Sequence, residues 1–412
     1  MAAAQKIAVT GRGHSAEDTP GPILIINPGS ASRKYALADG PRIVLRGHFE
    51  RTPEGAEVTF FDADGGEEKR SLGSASSAHT TDHFVEEAVA RGLITQARPI
   101  AAVGLRIVAP GRYFQEHKLI DADYAERLEA AMKEAPLHIK PELTELAHLR
   151  EIISRVPVYG ISDSAFHAGL PEVARRYAID ARDAERFGIQ RFGFHGISLA
   201  SIVTKLPSVL GTVPPRVVIC HLGSGASVTA VRDGKSLDTS MGYSPLEGLV
   251  MATRGGDIDP GALIHLAKSK GLSYSRLETY LNTQSGLLGL TGGRTGDMRE
   301  VMEAAETDET WGREALESFL YRLVKYIGAY TVVLGGLDAL VFTATIAERS
   351  NTIRARVCEN LSGLGVELDA AANERLSGQD GVITMPSSRV TAAVVATDEL
   401  AEIARQTTHL MK

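Results

Sequence analysis

Short apolar runs punctuated by Gly, Pro and Asp dominate the first sixty positions of the chain: 23–26, 33–37, 42–49 and 56–61, separated by Asp39-Gly40 and by Pro53-Glu54-Gly55. Runs of this length, flanked by turn residues, predict strands. Helical periodicity predicts helices over 80–91 and 122–135, whereas 101–108 and 156–161 predict buried strands, the second stopping at Ser162-Asp163. The order then repeats. Strands are predicted at 217–220, 227–232 and 235–240, followed by helices and loops through Glu359, and an apolar strand at 390–395 leads to a last helix opened by Glu399. The longest apolar stretch, 326–347, is broken by Gly335-Gly336 and Asp338. A membrane span needs ~20 predominantly apolar residues without such a break, so the stretch predicts a buried helix and then a core strand at 339–342.

The repetition extends to detail. Ile23-Leu24-Ile25-Ile26 runs into Asn27-Pro28-Gly29-Ser30-Ala31-Ser32, and Val217-Val218-Ile219-Cys220 runs into His221-Leu222-Gly223-Ser224-Gly225-Ala226-Ser227. Ten residues separate Gly29 from Asp39 and Gly223 from Asp233, each Asp opening an Asp-Gly turn. A strand, a Gly/Ser turn and a returning strand present backbone N–H groups and hydroxyls on one edge, which suits phosphate oxygens; a plain hairpin is the competing reading of either turn alone. Done twice and followed by alternating helices and strands, the pattern predicts two α/β domains with a cleft between them. The expected division is a mobile extension at 1–20, an N-terminal domain of 21–167 plus 400–412, and a C-terminal domain of 168–399.

Composition narrows the partners. At 412 residues, 43% hydrophobic and 23% charged, the chain has the make-up of a globular protein with substantial cores. Its 44 basic and 51 acidic residues leave a net charge of −7, with no overall attraction for nucleic acid or anionic lipid, so neither nucleic acid nor membrane is an expected partner. The N-terminal stretch lacks the apolar core of a signal peptide, and the only cysteines, Cys220 and Cys358, lie in apolar surroundings without zinc-ligand spacing. Reduced, buried thiols in a cytoplasmic protein are the expectation.

Three Gly-rich loops crowd the segment 253–297: Thr253-Arg254-Gly255-Gly256-Asp257, Ser285-Gly286-Leu287-Leu288-Gly289 and Thr291-Gly292-Gly293-Arg294-Thr295-Gly296-Asp297. Such loops often only connect elements, but three so close together, carrying Arg and Asp side chains, suggest a ligand rim. Arg106 at a strand end and Arg254 in a Gly-rich loop occupy positions that line clefts in α/β folds. Each alone is as well explained by pairing with a core carboxylate; together they suit an anionic acceptor. Glycines bracket His195, so another molecule can approach it, and a hydrogen-bond donor competes there with a packing role. Asp163 ends a strand. Thr397-Asp398-Glu399 reads either as a helix N-cap or as a source of a metal-ligating carboxylate. Cations, a metal site and a positioned acceptor are the parts of phosphoryl transfer. A sugar or glycerol kinase using Asp163 as base, or a non-catalytic binding scaffold, stands as the rival, and the two arginines argue against both.

From residue 22 to about 410, in order, the chain resembles the acetate kinase family through Asn27-Pro28-Gly29-Ser30-Ala31-Ser32-Arg33-Lys34-Tyr35, Arg106-Ile107-Val108, Ala135-Pro136-Leu137-His138, Asp163-Ser164-Ala165-Phe166-His167, Gly193-Phe194-His195-Gly196, His221-Leu222-Gly223-Ser224-Gly225 and the long run from Gly234 to Pro260. The resemblance implies an α/β, duplicated actin-like (ribonuclease H-like) two-domain fold with an interdomain cleft. It also implies reversible, Mg2+-dependent phosphoryl transfer between ATP and acetate, and a homodimer formed through the C-terminal domain. By position, it makes Arg106 and Arg254 the ligands of the acyl carboxylate and the moving phosphoryl group, with His195 bonding phosphoryl oxygens and His138 nearby. Asn27, Asp163 and Glu399 organise Mg2+ and its waters. Val108, Leu137, Phe194 and Pro245 form a small acyl pocket. Ser30, Ser32 and Lys34 belong to the first phosphate turn; His221, Gly223, Ser224 and Gly225 belong to the second; Asp297, Met298, Arg299 and Thr345 fall on the nucleotide side.

The resemblance fails in one place that matters. The family's Gly-Gly-Ile-Gly-Glu-Asn is here Ala344-Thr345-Ile346-Ala347-Glu348-Arg349, while Ser224 and Leu199 replace an Asn and a His. Added side chains are expected to narrow or reshape the adenosine site. Weaker ATP binding, a donor such as pyrophosphate that needs no adenosine pocket, and loss of catalysis are the three accounts, in that order.

Overall fold

The computed structural model describes residues 21–29, 32–52, 55–73 and 80–412. The expected extension 1–20, Ser30 and the first two residues of the 53–55 turn lie outside them. Two compact units result: residues up to Ala165 together with Asp398–Lys412, and Phe166–Thr397.

In the first unit, β1 (Ile23–Pro28), β2 (Ser32–Asp39), β3 (Arg42–Thr52), β4 (Gly55–Asp62) and β5 (Glu67–Gly73) pair antiparallel in sequence, and β6 (Ala102–Ile107) and β8 (Val158–Ser162) continue parallel to β1. The short β7 (Lys118–Leu119) closes the edge, giving the order β5-β4-β3-β2-β1-β6-β8-β7. The second unit repeats the design with β9 (Arg216–Leu222), β10 (Ala226–Arg232), β11 (Lys235–Thr239), β12 (Ala339–Thr343), β13 (Gly381–Val382) and β14 (Thr391–Val394), in the order β11-β10-β9-β12-β14-β13. In both, an antiparallel hairpin triplet is extended by two parallel strands and a short antiparallel edge strand. This is the ribonuclease H-like order, present twice.

The central strands are legible because parallel strands are covered on both faces and read as unbroken apolar runs. Every residue of β12 is buried, as are Ile23 to Asn27 of β1. The Asp233-Gly234 turn takes positive φ at both residues (50° and 75°), the two-residue hairpin geometry that Asp-Gly favours. In the first core, Tyr35 packs edge-on against Phe49 and stacks on Phe84 at 5.4 Å, while its hydroxyl bonds to Thr80 and Thr81. In the second, Leu199, Ile202 and Leu206 of the helix Gly196–Leu210 cover Val217, Ile219 and Val341. The last helix, Glu399–Leu410, lies across β1 and β6. It comes so close that a Cβ on Gly104 falls 2.3 Å from the Thr407 hydroxyl, so only glycine fits there.

Two expectations need correction. The helix expected over 122–135 ends early: one helix spans Ala122–Ala131, and a second, Pro136–Ile152, begins where Pro136 occupies the first turn. The strand β5 was absent from the expected elements because Glu67, Glu68, Lys69 and Arg70 hide any apolar alternation on this exposed sheet edge.

Candidate functional site

Three neighbouring parallel strands of the first unit deliver polar side chains at their C-terminal ends, where α/β sheets place ligands. Asn27 is near the end of β1, Arg106 near the end of β6, and Asp163 directly follows β8. Arg106 ties them together, donating to the Asn27 amide oxygen (3.1 Å) and to Asp163 (2.9 Å). Glu399, at the start of the last helix, accepts from the Asn27 amide nitrogen at 2.7 Å. Burial alone pulls the Arg106 guanidinium down, but Asp163 and then Glu399 outweigh it and hold it firmly charged. Of the two readings of Thr397-Asp398-Glu399 the structure shows the cap: Asp398 accepts from the Ala401 N–H, while Glu399 bonds to Asn27.

Beside this cluster, Val108 is buried and its N–H is held by Glu142, while Leu137 and His138 lie in the first turn of the helix Pro136–Ile152. Leu137 is 47% exposed and borders a 370 Å3 cavity with Gly29, Ser32, Arg33 and Lys140. Where the first phosphate turn is expected, the Gly29 N–H donates to the Ser32 carbonyl, and Lys34 is exposed on β2.

The second unit holds the other set. Arg254 donates to the Pro245 carbonyl (2.8 Å) and, among the described residues, has no carboxylate partner. Burial therefore acts unopposed and pulls its guanidinium down to about 10. A partly buried cation without a counter-ion carries a desolvation cost that a nearby anion would offset. The turn expected to be the second phosphate turn, closed by the Gly223 N–H to the Gly225 carbonyl, comes right up to it. A Cβ on Gly225 falls 2.6 Å from Arg254 Nη2 and 3.2 Å from His195 Nε2, so the turn, the arginine and the histidine share one spot. His195 has positive φ (63°) as it opens the helix Gly196–Leu210, hydrogen-bonds Ser227 through Nδ1 (3.0 Å) and stacks on His221 at 4.0 Å. His221 is bonded in turn to Ser198 (2.9 Å). Phe194 is buried directly before His195.

On the expected nucleotide side, Asp297 caps the helix Met298–Glu306 and pairs with Arg299, and Met298 is buried in the core. Ala344 to Arg349 form a short helix after β12, with Ala344 at φ 68° and its N–H held by Glu348. Thr345 and Arg349 are exposed, whereas Ala347 is wholly buried with its methyl group packed inward. Leu199 is core.

Residues 22–405 match the model of the acetokinase family. The chain belongs to that family. It is 38% identical over 401 residues to the acetate kinase of Thermotoga maritima, covering 95% of this chain and 98% of that one. Among solved structures, a propionate kinase from Francisella tularensis superposes with a TM-score of 0.85 at 34% identity, and the Porphyromonas gingivalis acetate kinase with 0.83 at 32%, each over 95% of this chain and 100% of the other. The duplicated actin-like fold is that of these acetokinase relatives.

Sequence reasoning missed Glu142, Ser198 and Ser227 within these clusters. Ser227 closes the second turn run and Ser198 stands three residues after His195, so their closeness in sequence to His221 and His195 was the available signal. Glu142 gave none, being one more acid in a charged helix.

Proposed function

We propose that this acetokinase transfers the γ-phosphoryl group of ATP to acetate, reversibly, giving acetyl phosphate and ADP. One oxygen of the acetate carboxylate attacks the γ-phosphorus as the bond to the bridging β-phosphate oxygen breaks. Acetate is ionised near neutral pH, so no general base is needed, and positioning and charge neutralisation supply the rate. The observation that carries the reading is Arg254, a partly buried guanidinium with no carboxylate of its own among the described residues, against the Gly223–Gly225 turn and His195. In this reading Arg106 receives the acyl carboxylate, Val108, Leu137, Phe194 and Pro245 bound its methyl group, and Arg254 and His195 hold the phosphoryl oxygens, with His138 nearby.

The donor set around Asn27 suits Mg2+. It is all oxygen, it leaves one net negative charge when Asp163 and Glu399 are balanced against Arg106, and a hard cation that keeps most of its waters needs only one or two carboxylates. Among the described residues no group of three or more His, Cys, Asp or Glu is placed to hold a metal ion, so this reading rests on two carboxylates and an amide. Bound there, Mg2+ would neutralise phosphate charge; Asn27, Asp163 and Glu399 would hold it directly or through water.

A homodimer through the second unit is supported by two helices, Pro260–Lys270 and Tyr274–Thr283, in which no residue is buried, with Ile264 56% and Tyr274 95% exposed. No helix among the described residues is long and apolar enough to cross a membrane.

A hydroxamate assay with acetate and Mg2+, comparing ATP, GTP and pyrophosphate, tests the donor and the reaction together. ATP-dependent acetyl hydroxamate is expected. Turnover with pyrophosphate alone would replace ATP as donor, a reading that the altered 344–349 segment keeps open. No product from any donor would remove the activity.

A further inference from the structure

The helix Pro136–Ile152 turns two glutamates inward. Ile139, Leu146 and Leu149 mark its core face, and on the same face Glu142 and Glu145 are 1% and 2% exposed. Glu145 is well partnered, accepting from Thr81 and facing Arg33 at 3.5 Å. Glu142 is placed differently. Its Oε1 accepts the Val108 N–H at 2.7 Å, one residue beyond the end of β6, where the sheet ladder no longer supplies an acceptor for that group. Its Oε2 is buried without a partner among the described residues, and so is Nε of Arg106. Burial pushes the Glu142 carboxyl up to about 8, the Val108 N–H and Arg106 pulling it back and Asp163 pushing it further. Packing alone gains nothing from such a group, since an apolar side chain of the same volume fills a core at least as well.

We propose that Glu142 is a positioning residue for the carboxylate acceptor: by holding the Val108 N–H it fixes the backbone just beyond Arg106. It thereby sets the spacing between the guanidinium that receives the acyl carboxylate and the side chain that bounds the methyl group. The inference rests on the assignment of Arg106 and Val108 to the acceptor in the proposed function.

Three variants of the full chain test it, with KM for acetate, propionate and ATP measured separately and folding followed by thermal melting. Glu142→Met fills the same volume without an acceptor for the Val108 N–H. It should raise KM for acetate by about tenfold, a 1.4 kcal/mol loss, and shift the acetate-to-propionate ratio, leaving KM for ATP unchanged. Glu142→Asp keeps the acid but is one methylene short, and should follow Glu142→Met. Glu142→Gln retains an oxygen acceptor at full length and should restore acetate binding to near the original value. An unchanged KM for acetate in both Glu142→Met and Glu142→Asp, an equal rise for acetate and ATP, or a Glu142→Gln as impaired as Glu142→Met overturns the inference. An unsubstituted protein that makes no acetyl phosphate overturns the acceptor assignment itself, and the inference with it.

Discussion

Ala344 and Ala347 stand three residues apart in one short helix, yet glycine should act oppositely at the two. Ala344 has φ at 68°, the left-handed region, and is 6% exposed; Ala347 is fully buried in ordinary helix. Left-handed backbone costs an alanine roughly 1–2 kcal/mol. Ala344→Gly removes that strain, but loses about 0.4–1 kcal/mol through the freer unfolded chain and about 0.8 kcal/mol with the buried methyl group. The sum lies within about 1 kcal/mol of zero. Ala347→Gly has no strain to relieve, and forfeits about 1 kcal/mol of helix preference and ~0.8 kcal/mol of burial, roughly 2 kcal/mol together. Guanidinium unfolding of the two single variants should therefore separate them by more than about 1 kcal/mol. If the 344–349 segment borders the nucleoside, KM for ATP should fall in Ala344→Gly and Thr345→Gly and stay put in Ala347→Gly, whose methyl group faces the core. Equal destabilisation by Ala344→Gly and Ala347→Gly would refute the strain argument. A fall in KM for ATP confined to Ala347→Gly would refute the assignment of faces.

Arg106→Ala and Arg254→Ala should each lower kcat by roughly 10²–10³ while the protein stays folded, because each removes a charge-assisted donor to developing charge; near-native turnover with only a lower Tm would make the arginine structural. Val108→Ala should move the kcat/KM ratio toward propionate by at most ~1–3 kcal/mol, and a ratio that does not move would take Val108 out of the pocket. The folded chain keeps the Glu142 proton up to about pH 8, whereas an unfolded glutamate loses it near 4.5. Burial of this group thus destabilises the fold progressively as pH rises through that window, by at most ~1.4 kcal/mol per unit. Glu142→Gln has no proton to lose, so its stability relative to the parent chain should climb between pH 5 and 8 and level off above; a pH-independent difference in denaturant midpoint would contradict this.

The parts legible in the sequence were those with local causes. Parallel strands appear as apolar runs, Asp-Gly marks the hairpin, and Asn27, Arg106 and Asp163 follow those runs because such strands end at a ligand edge. The parts that were not legible depend on which face of an element turns inward. Glu142 and Glu145 look like solvated acids in a charged helix, and only their spacing from Ile139 and Leu149 in the folded helix puts them in the core. Ala347 is the same problem in reverse: nothing in the sequence tells that its methyl group is fully buried. The break at 132–135 was missed because periodicity runs through it, while Pro136 opened the next helix.

Arg254 has a consequence for the life of the protein as well as for its turnover. In the absence of an anion its guanidinium is partly withdrawn from water and, among the described residues, has a carbonyl but no carboxylate to accept from it, so folding bears part of the cost of a charge awaiting its partner. An anion that binds only the folded chain returns that free energy in proportion to the logarithm of its concentration. Thermal stability should accordingly rise with acetyl phosphate or inorganic phosphate in the parent chain, and hardly at all in Arg254→Ala. Where such chains are cleared by proteolysis through their unfolded form, their abundance would follow the supply of the metabolite they process, without any dedicated regulator.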